Sequence, residues 1–252
     1  MTTAFARYAR YYDLLYRDKD YAGEARLVDG WLRAAGARPG ALLDLGCGTG
    51  AHAREFARLG WNVTGLDASV DMIELARSRT PAGAGVTYLT GQATDFELAR
   101  KFSAIVSLFH VASYLAGPGD LAAMLGAARR HLPTGGVLVF DFWHGPGVLA
   151  DPPAVRVREI ADGADRMVRT ARPALDLRTS TVEVRYELVV RDPAGRETDR
   201  CEEVHGLRYY FLPEVKSMLE RAGFVLLQTR AGLAEDALAD RSWYGLVIAR
   251  AG

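Results

Sequence analysis

The sequence LLDLGCGTG, Leu42 to Gly50, places three glycines directly after a short apolar run that contains Asp44. Such a turn can hold the phosphates of a nucleotide, can hold another adenosine-bearing cofactor, or can be a tight loop with no ligand. The context favours a ligand, because the turn follows a predicted strand and opens a predicted helix. Asp67 then ends the next predicted strand, at roughly the 20-residue spacing of a ribose-binding carboxylate.

The glycine spacing and Asp44 separate the possible ligands. Dinucleotide sites use G-x-G-x-x-G, whereas Gly46, Gly48 and Gly50 form a motif that is one residue too short. A carboxylate beside the turn repels a pyrophosphate but attracts a cation. S-adenosylmethionine carries an ammonium, a sulfonium and ribose hydroxyls, and it is therefore the predicted cofactor. A nicotinamide oxidoreductase is the disfavoured alternative.

The elements around the turn predict an α/β fold with a doubly wound, Rossmann-like sheet. The apolar segments ALLDL, NVTGLD, VTYLTG, KFSAIVSLF and TGGVLVFDF alternate with helical patterns, which favours a parallel sheet with helices on both faces. Residues 1–38 are predicted to contain two helices. Residues 39–148 and 206–252 form the predicted core. Period-two alternation predicts an antiparallel β insert over residues 149–205, so the chain is one domain with an insertion.

Composition limits the partners. The 252 residues have a formal net charge of zero and no long basic run, so neither nucleic acid nor a membrane surface is an expected partner. Two cysteines give no disulfide framework, and the first residues lack the apolar stretch of a signal peptide, so a cytoplasmic protein is expected. No cysteine or histidine pattern has the spacing of zinc ligands, and no metal is predicted.

The motifs also carry a family resemblance. LLDLGCGTG, followed by GLDAS and SVDMIELAR, resembles motif I and the acidic second-strand motif of class I S-adenosylmethionine-dependent methyltransferases, over most of the chain. KDYAGEA, GQATDFELARKFSAIVSLF, ASYL and VFDFWHGPGVL are similar to bacterial amino-sugar N-methyltransferases of the desosamine and mycaminose dimethyltransferase kind. The resemblance implies a methyltransferase fold in which the helices of residues 1–38 form a lid and the core closes on a reversed strand. It also implies a small amine substrate and a homodimer formed through the insert.

The same resemblance implies roles in cofactor binding. Gly46 and Gly48 would approach the methionine moiety, Asp44 would support its amino end, and Asp67 would accept hydrogen bonds from the ribose. Gln92 stands where family members commonly have an acid, and its amide oxygen can still accept a hydrogen bond from the adenine amino group. The remaining predicted contacts of the cofactor are Tyr21, Ala68, Met72, Ala93 and Leu108.

Methyl transfer to an ammonium requires the loss of one proton first, so a base near the acceptor is expected. Candidates lie at the carboxyl ends of parallel strands, where open sheets bind ligands. The predicted catalytic residues are His110 and Tyr114 after the fourth strand, His144 after the fifth, and Tyr12 on the lid. Each has a competing structural interpretation, such as packing in a turn or along a helix.

Three further residues are predicted to bind the substrate. Asp141 could hold an ammonium or cap a strand end, and Trp143 could flank a sugar ring. Arg208 could grip a phosphate or carboxylate, although pairing with Glu202 or Glu203 is the more common role of such an arginine. A nearby cluster contains His205, Tyr209 and Tyr210. The other arginines of the insert are interpreted as a solvated sheet face.

The sequence therefore predicts an S-adenosylmethionine-dependent methyltransferase acting on a small molecule. The favoured acceptor is the amino nitrogen of an amino sugar or aminoglycoside in antibiotic or nucleotide-sugar biosynthesis. The product of the cofactor would be S-adenosylhomocysteine. One alternative is methylation of oxygen or carbon in another small metabolite, and another is a module that binds the cofactor without catalysis.

Overall fold

The structure is a computed structural model that describes residues 9–163 and 165–252. Residues 1–8 of the predicted lid segment lie outside the described residues. The helices are α1 (Ala9–Leu15), α2 (Tyr21–Ala34), α3 (Ala51–Arg58), α4 (Val70–Arg79), α5 (Val111–Tyr114), α6 (Asp120–His131), α7 (Gly145–Ala150) and α8 (Leu212–Arg221). The strands are β1 (Ala41–Leu45), β2 (Asn62–Asp67), β3 (Val86–Thr90), β4 (Ala104–Ser107), β5 (Val137–His144), β6 (Arg156–Asp162), β7 (Asp165–Asp176), β8 (Thr181–Arg191), β9 (Glu197–Tyr210), β10 (Phe224–Arg230) and β11 (Tyr244–Ala251).

The first five strands form a parallel sheet in the order β3-β2-β1-β4-β5. The strands are short and apolar because helices cover both faces, and every residue of β4 is buried. One core packs α6 and α8 against the sheet, and the other packs α2, α3 and α4 against the opposite face. This arrangement confirms the predicted doubly wound fold class.

The chain order reverses between β1 and β4, which is the switch point where open sheets bind ligands. At the far side of β5, β11 runs antiparallel to it, and β10 runs antiparallel to β11. The predicted reversed closing strand is therefore present.

Strands β6 to β9 form the antiparallel part of the sheet. β11 pairs along β5 from Val137 to Trp143, so β4 and β9 must share the other edge of β5. β4 pairs with the first half of that edge, and β9 pairs further along it, at Trp143 and His144. Along this edge of β5, the pairing with β9 follows the pairing with β4. The insert therefore lies beside the carboxyl ends of the parallel strands.

Helix α1 packs against this insert rather than against the parallel sheet. Tyr11 and Leu15 share a buried cluster with Ile160, Met167, Leu188, Val190 and Cys201. This cluster therefore holds α1 next to the insert.

Candidate active site

The glycine turn between β1 and α3 uses its own amides internally. Gly46 N–H donates to the carbonyl of Leu66 at 2.7 Å, and Gly48 N–H donates to Oδ2 of Asp67 at 2.8 Å. The amides of Cys47 and Gly50 also donate to backbone carbonyls. Because these four donors are occupied, the turn does not present the row of amides that binds a pyrophosphate. This geometry argues against a dinucleotide.

Two of the glycines are required for different reasons. Gly46 has φ +72°, and a Cβ there would lie 2.4 Å from a methyl carbon of Val111. Gly48 has φ +53°, and a Cβ there would meet no protein atom within 4 Å. The first glycine allows close packing against α5, whereas the second leaves open space in the cavity for a ligand.

Asp44 is a buried carboxylate without full compensation. Asp44 is the next-to-last residue of β1 and is 2% exposed, and its Oδ2 has no hydrogen-bond partner among the described residues. Burial raises the pKa of Asp44 to about 6; nearby His52 lowers it, and the like charge of Asp67 adds to the rise. An ammonium placed here would restore the missing hydrogen bond and offset the cost of burial.

Asp67 ends β2 and faces the same space. Its Oδ1 accepts from the amide of Ser69 at 2.9 Å, while Oδ2 accepts from Gly48. Burial raises its pKa, and the backbone donors oppose that rise. The backbone bonds fix the carboxylate, and its remaining lone pairs can accept from hydroxyl groups such as those of a ribose.

A cavity of about 860 Å³ opens from these acids toward the insert. This volume lies within the range of about 300–1,000 Å³ that is usual for small-molecule sites. The structure brings most of the predicted site residues together on its walls: Tyr12, Tyr21, Asp44, Gly46, Gly48, Asp67, Ala68, Met72, Gln92, Ala93, Leu108, His110, Tyr114 and Trp143. Their individual roles stay predictions.

The N-terminal segment contacts the β4–α5 loop through aromatic rings. Tyr16 packs edge-on against Phe109, with 5.0 Å between the ring centroids, and its ring centroid lies 4.8 Å from that of Tyr12. Lys19, which pairs with Glu24, lies 4.4 Å from the centroid of Phe109. Phe109 and its neighbour both have φ of 66°, a conformation that costs non-glycine residues energy and is concentrated at functional sites.

His110 is the second residue of that strained pair. Its amide donates to Oδ1 of Asp141 at 2.9 Å, and its Nδ1 lies 2.9 Å from Oδ2 of the same carboxylate. This second contact does not have hydrogen-bond geometry, and neither atom has a hydrogen-bond partner among the described residues. The imidazole stacks on Tyr244 at 4.3 Å. His110 therefore covers Asp141, which is fully buried.

Tyr114 ends α5 and reaches the insert. Its hydroxyl lies 3.0 Å from Nδ1 of His205 on β9, and Nε2 of His205 lies 2.9 Å from Oε2 of Glu203. His205 is 2% exposed, and its ring packs edge-on against Tyr186 of β8 at 4.8 Å. Tyr114, Tyr186 and His205 all line the cavity.

The structure leaves three predicted site residues outside the cavity wall. His144 and Trp143 point to opposite faces of β5, as alternation along a strand requires, and only Trp143 lines the cavity. Nδ1 of His144 lies 3.0 Å from the carbonyl oxygen of Ser242 in the protein interior. The predicted catalytic role of His144 therefore has no geometric support. Asp141 lies beneath His110, so its support of a substrate ammonium would have to be indirect.

Arg208 is the third of these residues. It pairs with Glu214 of α8 at 3.3 Å and lies 4.9 Å from the ring centroid of Tyr210. Pairing with Glu202 or Glu203 was the wrong expectation. Glu202 shares the face of Arg208 but lies six residues away, a distance of about 20 Å along a strand, and Glu203 points to the other face.

Several polar and aromatic cavity residues are not part of the site predicted from the sequence, among them Arg169, Tyr186, His205 and Tyr244. The sequence places His205 only in a polar and aromatic cluster, and it assigns Arg169 to a solvated sheet face. Period-two alternation gives the face of each residue, but the register of β7, β8 and β9 decides which of them stand beside α5. No local signal in the sequence carries that information.

Two kinds of site are absent from the part of the chain that the structure describes. No group of three or more histidine, cysteine, aspartate or glutamate side chains there is arranged to hold a metal ion. No helix in residues 9–163 or 165–252 is both long and apolar enough to cross a membrane.

The site thus combines an uncompensated buried acid, a second acid fixed for hydroxyl groups, and a glycine that leaves space at the turn. These features fit S-adenosylmethionine, whose ammonium needs an acceptor and whose ribose needs a carboxylate. Together with the switch-point fold, they define the class of S-adenosylmethionine-dependent methyltransferases.

Comparison with known proteins agrees. Residues 42–136 match the family described as "Methyltransferase domain". The chain is 33% identical over 218 residues to dTDP-3-amino-3,4,6-trideoxy-alpha-D-glucopyranose N,N-dimethyltransferase of Streptomyces venezuelae, covering 86% of this chain and 89% of that relative. The chain belongs to this family of S-adenosylmethionine-dependent methyltransferases, and it is an enzyme.

Solved structures give the same result. DesVI of Streptomyces venezuelae superposes with a TM-score of 0.82 at 28% identity, over 97% of this chain and 98% of that one. An amino pentose methyltransferase of Micromonospora echinaspora, involved in calicheamicin biosynthesis and solved with S-adenosylmethionine bound, has a TM-score of 0.76 at 27% identity. The match covers 96% of each chain.

Proposed function

We propose that this enzyme N-methylates the amino group of an amino sugar. The observation that carries the proposal is the cavity itself, which continues from the two acids past Tyr114 and Trp143 to the insert. It therefore has room for an acceptor beside the cofactor. When bound, S-adenosylmethionine supplies an electrophilic methyl group.

The protein's own residues would hold the two reactants and keep water out. Asp44 and Asp67 would bind the ammonium and the ribose of the cofactor. The lid aromatics Tyr12 and Tyr21 and the indole of Trp143 would enclose the reacting groups, because positioning in a dry site supplies most of the acceleration of a displacement reaction. His110 and Tyr114 both lie on the cavity wall, where either could accept a proton from the acceptor ammonium.

The charges of the cavity favour a nucleotide-linked sugar. Asp44 and Asp67 are acidic at the cofactor end, whereas Arg156 and Arg169 line the end formed by the insert. Arg169 lies 5.3 Å from the ring centroid of Tyr186. Arginine and a tyrosine ring suit a diphosphate and a stacked base. The relative from Streptomyces venezuelae is named for a dTDP-linked amino sugar.

The test is mass spectrometry of products after incubation with methyl-labelled S-adenosylmethionine and a panel of acceptors. The panel contains free amino sugars, their dTDP-linked forms and aminoglycosides. We expect label on the nitrogen of a dTDP-linked amino sugar, and a lower yield with the corresponding free sugar. Label on oxygen or carbon, or cofactor binding with no labelled product, would overturn the proposal.

The expected homodimer has a candidate surface. β6 is the last strand of the sheet, and Val155 and Val157 are 63% and 62% exposed at or beside it. An edge strand with exposed apolar residues favours pairing with a second copy. We retain the homodimer and the cytoplasmic location as proposals.

A further inference from the structure

We propose that Glu203, His205 and Tyr114 form a proton relay that removes the proton from the acceptor ammonium. The inference rests on the proposed function and deepens it, because it assigns the base to a group completed by the insert. Tyr114 lies on the cavity wall, Nδ1 of His205 is 3.0 Å from its hydroxyl, and Glu203 is 2.9 Å from Nε2 of the same ring.

The carboxylate determines the tautomer of the imidazole. A carboxylate only accepts hydrogen bonds, so Nε2 of His205 must carry a hydrogen that it donates to Glu203. Nδ1 is then left as an acceptor, and the hydroxyl of Tyr114 donates to it. The three side chains are thus aligned to move a proton from the cavity toward the insert.

The proton moves from the acceptor to His205 in two linked transfers. An N–H bond of the acceptor ammonium breaks and its proton moves to Oη of Tyr114, while the original proton of that hydroxyl moves to Nδ1 of His205. The acceptor becomes a neutral amine with a free electron pair. His205 becomes an imidazolium, whose charge Glu203 stabilises.

His205 and Glu203 are both shielded from solvent, so a proton that reaches His205 stays on the hydrogen-bonded path. His205 is 2% exposed, and the side chain of Glu203 is 7% exposed. Among the described residues, Tyr114 from α5, Tyr186 from β8 and Glu203 from the same strand face His205, while Arg169 of β7 lies over the ring of Tyr186. A charged imidazole buried here needs the carboxylate, because an unpaired buried charge is costly.

His110 is the competing base. It contacts Asp141 and lines the cavity, but its ring lies parallel to Tyr244 at 4.3 Å, and its Nδ1–carboxylate contact is not a directed hydrogen bond. The relay has a hydrogen-bonded path for the proton away from the cavity, which His110 does not show. The test therefore includes both groups.

The decisive experiment is a single-turnover rate of methyl transfer, measured between about pH 6.5 and pH 9.5, for the variants Tyr114→Phe, His205→Gln and Glu203→Gln. We expect the first two to lower the rate at about pH 7.5 by roughly 100-fold, the usual scale of general-base catalysis. The loss should shrink as pH rises, because solvent then deprotonates the amine. Cofactor affinity should change by less than about threefold.

Two comparisons separate a relay from a packing role. The double variant Tyr114→Phe/His205→Gln should be no slower than the slower single variant, because the residues act as one unit. Glu202→Gln, which changes an exposed acid next to Glu203 on the opposite face of β9, is the matched control and should leave the rate unchanged. An additive double variant, or a loss equal at every pH, would overturn the relay. So would an acid limb that disappears only in His110→Gln.

A second measurement does not depend on turnover. Nuclear magnetic resonance of ¹⁵N-labelled histidines should show His205 as the neutral Nε2–H tautomer, with an Nδ1 signal that shifts in Tyr114→Phe. A different tautomer would overturn the relay even in an active enzyme. If the wild-type enzyme methylates no amine but this signal is present, the proposed function fails while the hydrogen-bonded relay stands.

Discussion

At the scale of single residues, the ionised carboxylate of Asp44 destabilises the folded, cofactor-free protein. Its pKa rises to about 6 from the ordinary value of 3.8, chiefly because of burial. Protonation therefore favours the folded state. The loss of folding stability is absent below the ordinary pKa and fully present above about pH 6. It reaches at most about 3 kcal/mol there, at 1.36 kcal/mol per pKa unit. A cation of the cofactor would offset this cost.

We therefore predict that Asp44→Asn stabilises the cofactor-free protein while weakening cofactor binding. The free energy of unfolding should rise by about 1–3 kcal/mol at pH 8, and the gain should vanish near pH 4. Urea denaturation at both pH values measures the first effect, and calorimetry should show cofactor affinity lowered by more than about tenfold. Asp240→Asn, in an exposed loop, is the control. A less stable Asp44→Asn protein at pH 8 would contradict the argument.

At the scale of elements, the β1–α3 turn binds its ligand by leaving space rather than by donating amides. Gly48 shows this most clearly, since its amide is already bonded to Asp67 and a Cβ at its position would enter open space. Asp67 thereby connects the end of β2 to the turn after β1. The ends of the two strands are therefore linked by a side-chain hydrogen bond.

A substitution at this turn separates backbone strain from ligand exclusion. Gly48→Ala should lower stability by about 1 kcal/mol through its positive φ, and lower cofactor affinity by more than about tenfold because the methyl group occupies ligand space. Gly83 has φ +78° and equally open surroundings, but it does not line the cavity. Gly83→Ala should therefore show the same loss of stability with unchanged affinity. Equal affinities for the two variants would refute this interpretation of the turn.

At the scale of the whole molecule, one face of the insert and one edge of its sheet have different roles. One face closes the active-site cavity and supplies His205, Tyr186 and Arg169. The end of its sheet is β6, which has no further strand beside it among residues 9–163 and 165–252. This edge is the candidate surface for the homodimer.

We predict that Val157→Lys shifts the enzyme from dimer to monomer, because lysine on an edge strand opposes pairing with a second copy. Sedimentation velocity over a range of protein concentrations measures the shift. Leu177→Lys, at an equally exposed position in the β7–β8 turn, should leave the dimer intact. A wild-type protein that sediments as a monomer at all concentrations would dismiss the dimer itself.

The sequence by itself determined the parallel core, the class of cofactor and the acids that face it. These features depend on residues close together in the chain: a strand, its glycine turn and the next strand end. Local periodicity and glycine spacing encode such contacts directly. The alternation of strands and helices also predicted the parallel sheet and its right-handed crossovers. The reversed last strand was implied by the family resemblance.

Only the tertiary structure decided which side chains the insert brings to the cavity. Tyr114 and His205 are 91 residues apart, and their contact depends on where β9 pairs with β5 and on the register of β8 with β9. For the same reason, the sequence did not show that Arg208 pairs with Glu214 on α8 or that His144 points away from the cavity. Alternation assigns a residue to a face of its strand, but packing between distant elements determines what that face meets.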